Sequence, residues 1–219
     1  MSRSFQLIVF DLDGTLVDSR RDLADSANAL LESCGAEPLP EERIGRMVGD
    51  GAATLVARVC EARGIPQPPH ALERFLALYD ARLLHHTRPY DGIPAVLAVL
   101  SLRAQLAVLT NKPLAPARRL LAGLGLAQFF SDDAVIGGDG PFARKPDPAG
   151  LRHLIARAAA TADAALLVGD SVIDWRTGRA AATPVCLVRY GFGFDGVPVH
   201  ELDAGTQVIN APGELLALS

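Results

Sequence analysis

Six short runs of Val, Ile and Leu punctuate this 219-residue chain: residues 5–10 (FQLIVF), 106–109 (LAVL), 134–136 (AVI), 166–168 (LLV), 185–188 (VCLV) and 207–209 (QVI). Each is apolar nearly throughout rather than alternating, the pattern of strands covered on both faces in a parallel sheet. Parallel strands need crossover connections, usually through a helix. Helical stripes fill the intervals: Leu114, Ala117, Leu121 and Leu124 share one face, and Leu151, Leu154, Ile155 and Ala158 share another. The alternation predicts an α/β fold with a doubly wound, Rossmann-like parallel sheet.

One interval breaks the rhythm. About ninety residues separate the first two runs, where a crossover needs about a dozen. The surplus is itself helical. Leu23, Ala27, Leu30 and Leu31 form a stripe closed by Gly35; Leu55, Val56, Val59 and Cys60 form a second; Leu72, Phe75, Leu76 and Tyr79 form a third. The expected organisation is a core of residues 1–15 and 87–219, with a small helical domain, residues 16–86, inserted after the first strand. "GIPQPPH" (64–70) reads as a stiff loop within the insertion, and "TRPYDGIP" (87–94) as the return to the core.

Composition removes several classes of function. No window approaches 18 uninterrupted apolar residues, so no membrane span is expected. The first apolar run is short and meets Asp11 at once, unlike a secretory leader. Cys34, Cys60 and Cys186 make no CxxC pair and read as small hydrophobes, which points to a reducing, cytoplasmic setting. The net charge is −4 and 5 % of residues are aromatic, which argues against a nucleic-acid partner. Of 21 basic residues only Lys112 and Lys145 are lysine. Where a chain this rich in arginine uses lysine, a compact point charge is the plausible requirement.

Ligands of open α/β sheets bind beyond the carboxyl ends of the strands, so the residues that follow each run carry the functional signal. Asp11 and Asp13 follow the first; Thr110, Asn111 and Lys112 follow the second; "GGDG" follows the third; Asp170 and Asp174, in "GDSVIDW", follow the fourth. Lys145 lies in "RKPDP", ahead of the helix leading to the fourth strand. Residues i and i+2 of an extended segment point the same way, so Asp11 and Asp13 would repel at one spot. A hard divalent cation such as Mg²⁺ relieves such crowding; a retained proton on one acid is the other remedy. Gly14 and Thr15 fit a tight exit turn with main-chain N–H groups open to an anion. Each motif alone also has a plain reading: an Asx-turn at Asp11–Gly14, helix caps at Thr110–Asn111 and at Asp170–Asp174, a solvated surface charge at Lys145. Four strand ends decorated in order outweigh those separate readings.

Taken together, "DLDGTLVDS", "LTNK", "RKPDP" and "GDSVIDW" resemble the four motifs of the haloacid dehalogenase superfamily, and the insertion resembles its C1-type helical cap. Within it the chain looks most like bacterial phosphoglycolate phosphatases, through "RMVGDGAATLV", "TNKP", "IGGD" and "VRYGFGFDG". Phe192 and Gly193 depart from those relatives, which often carry Tyr and Asn there. The resemblance implies a Mg²⁺-dependent phosphatase acting through an aspartyl-phosphate on a small phosphorylated metabolite. It makes Asp11 the nucleophile and Asp13 the general acid and base, with a metal ligand from the Asp13 main-chain carbonyl. Thr110, Asn111 and Lys145 would hold phosphate oxygens, and Asp11, Asp170 and Asp174 would complete the metal site. In the insertion, Gly49 and Gly51 precede a helix whose N-terminus, with Arg46, is expected to receive a small carboxylate. Lys112 has no role in this scheme and reads as a rim charge.

Other readings fit less well. "GFGFDG" (191–196) matches a dinucleotide fingerprint but no amphipathic helix follows. A receiver-like signalling module lacks the insertion. A dehalogenase needs no Asp13, and a Schiff-base phosphonate hydrolase needs a lysine that residues 16–86 do not contain. Hydrolysis of a sugar 6-phosphate and phosphoryl transfer within a sugar remain as alternatives. A monomer or a homodimer is expected.

Overall fold

Residues Leu7–Phe10 form strand β1, whose side chains part alternately into two apolar cores. Ile8 and Phe10 enter one, Leu7 and Val9 the other, and all four are buried. This explains why the run reads as apolar without alternation. The structure, a computed structural model, describes residues 5–203 and 205–218. After β1 come the two-residue strand β2 (Val17–Asp18), helices α1 (Arg20–Glu32), α2 (Glu41–Gly45), α3 (Ala52–Ala62) and α4 (Ala71–Arg82), and the short strand β3 (Arg88–Pro89). The chain continues through α5 (Ile93–Leu100), β4 (Gln105–Leu109), α6 (Leu114–Gly123), β5 (Val135–Ile136), α7 (Ala149–Arg157), β6 (Ala165–Gly169), α8 (Val172–Ala180), β7 (Val185–Val188) and β8 (Thr206–Ile209).

Six strands form one sheet in the order β5-β4-β1-β6-β7-β8, with every pairing parallel. β1 is flanked by β4 and β6, so the chain winds outward from it in both directions. That is the topological switch point, where a crevice opens beyond the carboxyl ends. Helices cover both faces. Leu97 of α5 and Leu120 of α6 join Phe10 and Val108 on one; Leu151 and Leu154 of α7 join Val9 and Leu109 on the other.

The segment between β2 and β3 is helical. α1 packs on α2, α3 and α4, and α3 packs on α4. Its apolar stripes are the expected ones with one exception: Leu72 is exposed, and Ala71, Phe75 and Tyr79 form the buried face of α4. β2 and β3 pair antiparallel at the root of the segment, Val17 opposite Pro89 and Asp18 opposite Arg88. Its exit is pinned by Asp22, a fully buried carboxylate. Asp22 accepts the main-chain N–H groups of His86 (3.0 Å) and Thr87 (2.8 Å) and the Thr87 hydroxyl (2.7 Å).

Asp22→Ala would leave those buried donors without an acceptor, a loss of about 3 kcal/mol. Urea unfolding is expected to show a lowered midpoint for Asp22→Ala and a smaller loss for Asp22→Asn, which keeps one carbonyl acceptor. Equal stability of wild type and Asp22→Ala would show that the pin contributes nothing.

Candidate active site

Asp11 leaves the sheet directly after β1, its main-chain N–H held by the Val168 carbonyl at 2.8 Å. The chain then turns sharply around Leu12, whose carbonyl accepts from the amides of Thr15, Leu16 and Val17. Gly14 sits at φ +88° inside this turn, and a Cβ there would lie 2.1 Å from Asp170 Oδ2. Only glycine lets the ends of β1 and β6 approach so closely. The Gly14 amide donates to the Val17 carbonyl, so the Gly14 and Thr15 N–H groups close the turn rather than face an anion as expected. On β6, a Cβ at Gly169 would fall 2.2 Å from Asp174 Cγ, so this glycine makes room for the second acid. Ser171 caps α8, and its amide and hydroxyl donate to Asp174 Oδ2 at 3.1 and 2.6 Å. The capping role and a site role coexist, because the other Asp174 oxygen points to Lys145.

Asp11, Asp170 and Asp174 are all buried and offer oxygens within 4.8 Å of one another. Lys145 Nζ lies 2.9 Å from Asp11 Oδ1 and 2.6 Å from Asp174 Oδ1. Burial works against the Lys145 charge, but Asp11 and Asp174 outweigh it and hold the ammonium protonated. Burial pushes Asp11 up to about 6; Lys145 opposes the shift, and Asp174 and Asp13 add to it. Asp170 is raised too, by burial first and then by Asp174 and Asp11, although it accepts the Gly193 amide at 2.7 Å. Three ionised carboxylates and one ammonium leave two negative charges, which a divalent cation would cancel. The oxygen-only donor set is that of a hard cation, so these residues fit one.

Asp13 faces a different partner. Lys112 Nζ lies 3.1 and 3.0 Å from its two oxygens, and the Ser19 hydroxyl donates to Oδ1 at 2.5 Å. The same ammonium donates to the Tyr79 hydroxyl of α4 at 2.7 Å and lies 4.4 Å from that ring's centroid. Lys112 is thus buried rather than a rim charge. The lone lysine carried no pattern from which this could be read; the one available signal was that the chain spends only two lysines. Asn111, expected on the phosphate, gives its side-chain amide to the Gly49 and Lys145 carbonyls, each at 2.9 Å. Thr110 is buried beside it and accepts the Lys112 amide at 3.2 Å.

These groups converge on a cleft between the sheet edge and the helices α3 and α4. Asp11, Asp13, Thr110, Asn111, Lys112, Asp170 and Tyr79 line it, with Gly49 and Gly51 at the start of α3. Leu23, Leu55, Phe75 and Leu76 form an apolar wall. The space open to the centre of a water molecule is ≈ 60 Å³, enough for a handful of waters. Arg46 is not among the lining residues: its side chain is 66 % exposed and pairs with Asp195 at 3.4 Å. Arg46, expected to help receive a carboxylate, is turned toward Asp195 here. Phe192 and Gly193, noted only as departures, line the cleft.

The sequence profile of haloacid dehalogenase-like hydrolases matches residues 8–188, which span β1 to β7 and every acid and lysine of the cleft. The chain belongs to this family. It is 45 % identical over 206 residues to a phosphoglycolate phosphatase of Rhodospirillum rubrum, covering 90 % of this chain and 84 % of the relative. It is 38 % identical over 198 residues to a plasmid phosphoglycolate phosphatase of Cupriavidus necator, covering 87 % and 84 %. A crystal structure from Haemophilus somnus 129pt, described as a predicted phosphoglycolate phosphatase, superposes with a TM-score of 0.87 at 28 % identity over 97 % of both chains. As a haloacid dehalogenase-like hydrolase, the chain is an enzyme whose family motifs coincide with the acids and lysines of the cleft.

The raised acids have a consequence for metal binding. Asp11, lifted to about 6, holds its proton in the folded state where the unfolded chain has released it. Its contribution to stability is therefore full below the ordinary carboxylate range and is lost as pH rises through about 6. A cation competes with that proton. Saturating Mg²⁺ is expected to raise Tm more at about pH 7.5 than at about pH 5 in thermal melts. An equal rise at both would mean that the buried acids are not where the cation binds.

Proposed function

We propose that this chain is a Mg²⁺-dependent phosphomonoesterase that works through an aspartyl-phosphate on Asp11, with 2-phosphoglycolate as its substrate. The carrying observation is the buried junction at the centre of the sheet, where Lys145 joins Asp11 to Asp174 with Asp170 alongside. The substrate comes from the relatives, which are named for phosphoglycolate. The proposal divides the chain into an α/β core, residues 1–15 and 87–219, and a helical cap, residues 16–86, whose boundary falls beside the β2–β3 ribbon.

In this scheme an Asp11 oxygen attacks phosphorus, and the ester oxygen leaves on the opposite side. Asp13, held by Lys112 and Ser19, sits two residues on and gives that oxygen a proton. In the second step Asp13 takes a proton from water, which attacks phosphorus and frees Asp11. Lys145 lies on Asp11 and neutralises a phosphate oxygen, with Thr110 Oγ1 and the Asn111 main-chain N–H on others. The Asn111 side chain fixes the Lys145 main chain instead. Asp11, Asp170, Asp174 and the Asp13 carbonyl would hold Mg²⁺, which when bound offsets the repulsion between Asp11 and the phosphate dianion. Helices α3 and α4 cover the cleft and limit water during the first step.

Phosphate release from a panel of small monoesters with Mg²⁺ is expected to be fastest for 2-phosphoglycolate. Asp11→Asn is expected to lower kcat by about 10³-fold or more without lowering Tm, because it removes one of three crowded acids. Undiminished turnover by Asp11→Asn would end the scheme. Faster release from sugar 6-phosphates would keep the chemistry and change the substrate.

A further inference from the structure

The cleft has one positive side chain among its lining residues, Lys112. Lys145 lies beneath, between Asp11 and Asp174. Arg46 pairs with Asp195 and Arg58 with Asp50, while Arg144 donates from Nε to the Gly138 carbonyl and its Nη1 lies beside Gly51, away from Asp13. Among the described residues lining the cleft, Lys112 is the cation in contact with Asp13, and so the one that an anionic group on the leaving half of a substrate would meet. Burying a carboxylate without one is costly, and a charge-assisted bond is the remedy.

We infer that Lys112 and Tyr79 form the seat for a substrate carboxylate, so that the site selects phosphomonoesters whose carboxylate is borne on the carbon that carries the ester oxygen. This rests on the reading of Asp13 as the proton donor to that oxygen. Lys112 Nζ stands 3.0 Å from Asp13 Oδ2, about one hydrogen-bond length. In an α-phosphooxy acid a carboxylate oxygen also lies ~3 Å, one hydrogen-bond length, from the ester oxygen. An ester oxygen placed on Asp13 thus delivers its carboxylate to the Lys112 ammonium. The ammonium has three donors on a rotatable bond and can share one with a newcomer. Tyr79 completes the seat. Its oxygen accepts from Lys112, and its own proton meets no acceptor among the described residues. Leu55, Phe75 and Leu76 make one wall of the cleft apolar.

The test compares kcat/KM for 2-phosphoglycolate and for ethyl phosphate, which replaces the carboxylate by a methyl group, with Mg²⁺ present. Wild type is expected to favour 2-phosphoglycolate by about 100-fold or more. Lys112→Met slows both reactions, since Asp13 loses a partner, but is expected to bring the ratio to within about fivefold of unity. Tyr79→Phe keeps the packed ring and is expected to lower the ratio about fivefold, through a higher KM for 2-phosphoglycolate. Parallel losses on both substrates, with the ratio kept, would overturn the seat while leaving the proposed function intact. Should Lys112→Met fail to fold, Tyr79→Phe decides alone: a ratio lowered at least about threefold supports the seat, and an unchanged one overturns it. A wild type that releases phosphate from neither compound removes the proposed function itself, and the seat with it.

Discussion

The ammonium of Lys145, buried between Asp11 and Asp174, is the contact around which the site is arranged. It joins three segments far apart in sequence: the end of β1, the loop before α7 and the first turn of α8. Removing charge from water is expensive, and a lone carboxylate at the Asp11 position would not stay ionised. Lys145 makes ionisation possible for one acid but cannot serve all three. The remaining imbalance lifts Asp11 and Asp170 above the ordinary carboxylate range, mainly because both are buried. Such an arrangement is poor as a stabilising device. It is intelligible as a place kept ready for further positive charge, at the one position where strand order reverses.

The loop after β4 binds the two halves of the cleft together. Thr110 lines the cleft with Asp11, Asp13 and Asp170, Asn111 reaches the Gly49 carbonyl ahead of α3, and Lys112 reaches Tyr79 on α4. Three consecutive residues thus touch the sheet edge and two helices of the inserted segment. Any displacement of those helices would have to break the Asn111 and Lys112 contacts, both of which begin within two residues of Thr110. The end of β4 and the position of the helices are therefore linked through one short stretch of chain. The Asp22 pin at His86–Thr87 follows the same C-terminal end of α4 that carries Tyr79, so the Lys112 contact and the pin hold neighbouring parts of the segment.

Much of this was legible in the sequence, for physical reasons that differ by element. The parallel strands announced themselves because burial on both faces leaves an uninterrupted apolar run, as in β1 and β7. Asp11, Asp170 and Lys145 were legible because strand ends define where a site must be. α5 was not, since Ile93–Leu100 is apolar all round and has no 3.6-residue rhythm. α2 spans five residues, too few for any period. Leu72 was misjudged because Ala71, a smaller residue, takes the buried position. Arg46 was placed near the cleft correctly along the chain, but which way its side chain turns is decided by Asp195, almost 150 residues on. Lys112 failed for the same reason: its environment is made by Asp13 and Tyr79, neither of them a neighbour in sequence.

The choice of lysine at these two positions follows from the shape of the acceptors. Nineteen of the 21 basic residues are arginine, so lysine is the exception in this chain. A guanidinium is a planar fork suited to one carboxylate met edge on. At Lys145 the acceptors are single oxygens of two carboxylates from different elements; at Lys112 they are a carboxylate and a phenol oxygen on opposite walls of the cleft. Acceptors from two elements suit a point charge with donors pointing several ways. A guanidinium is also bulkier, and both lysines are buried beside these acids. A chain that otherwise relies on arginine therefore keeps lysine where one compact buried cation must join acceptors from two elements.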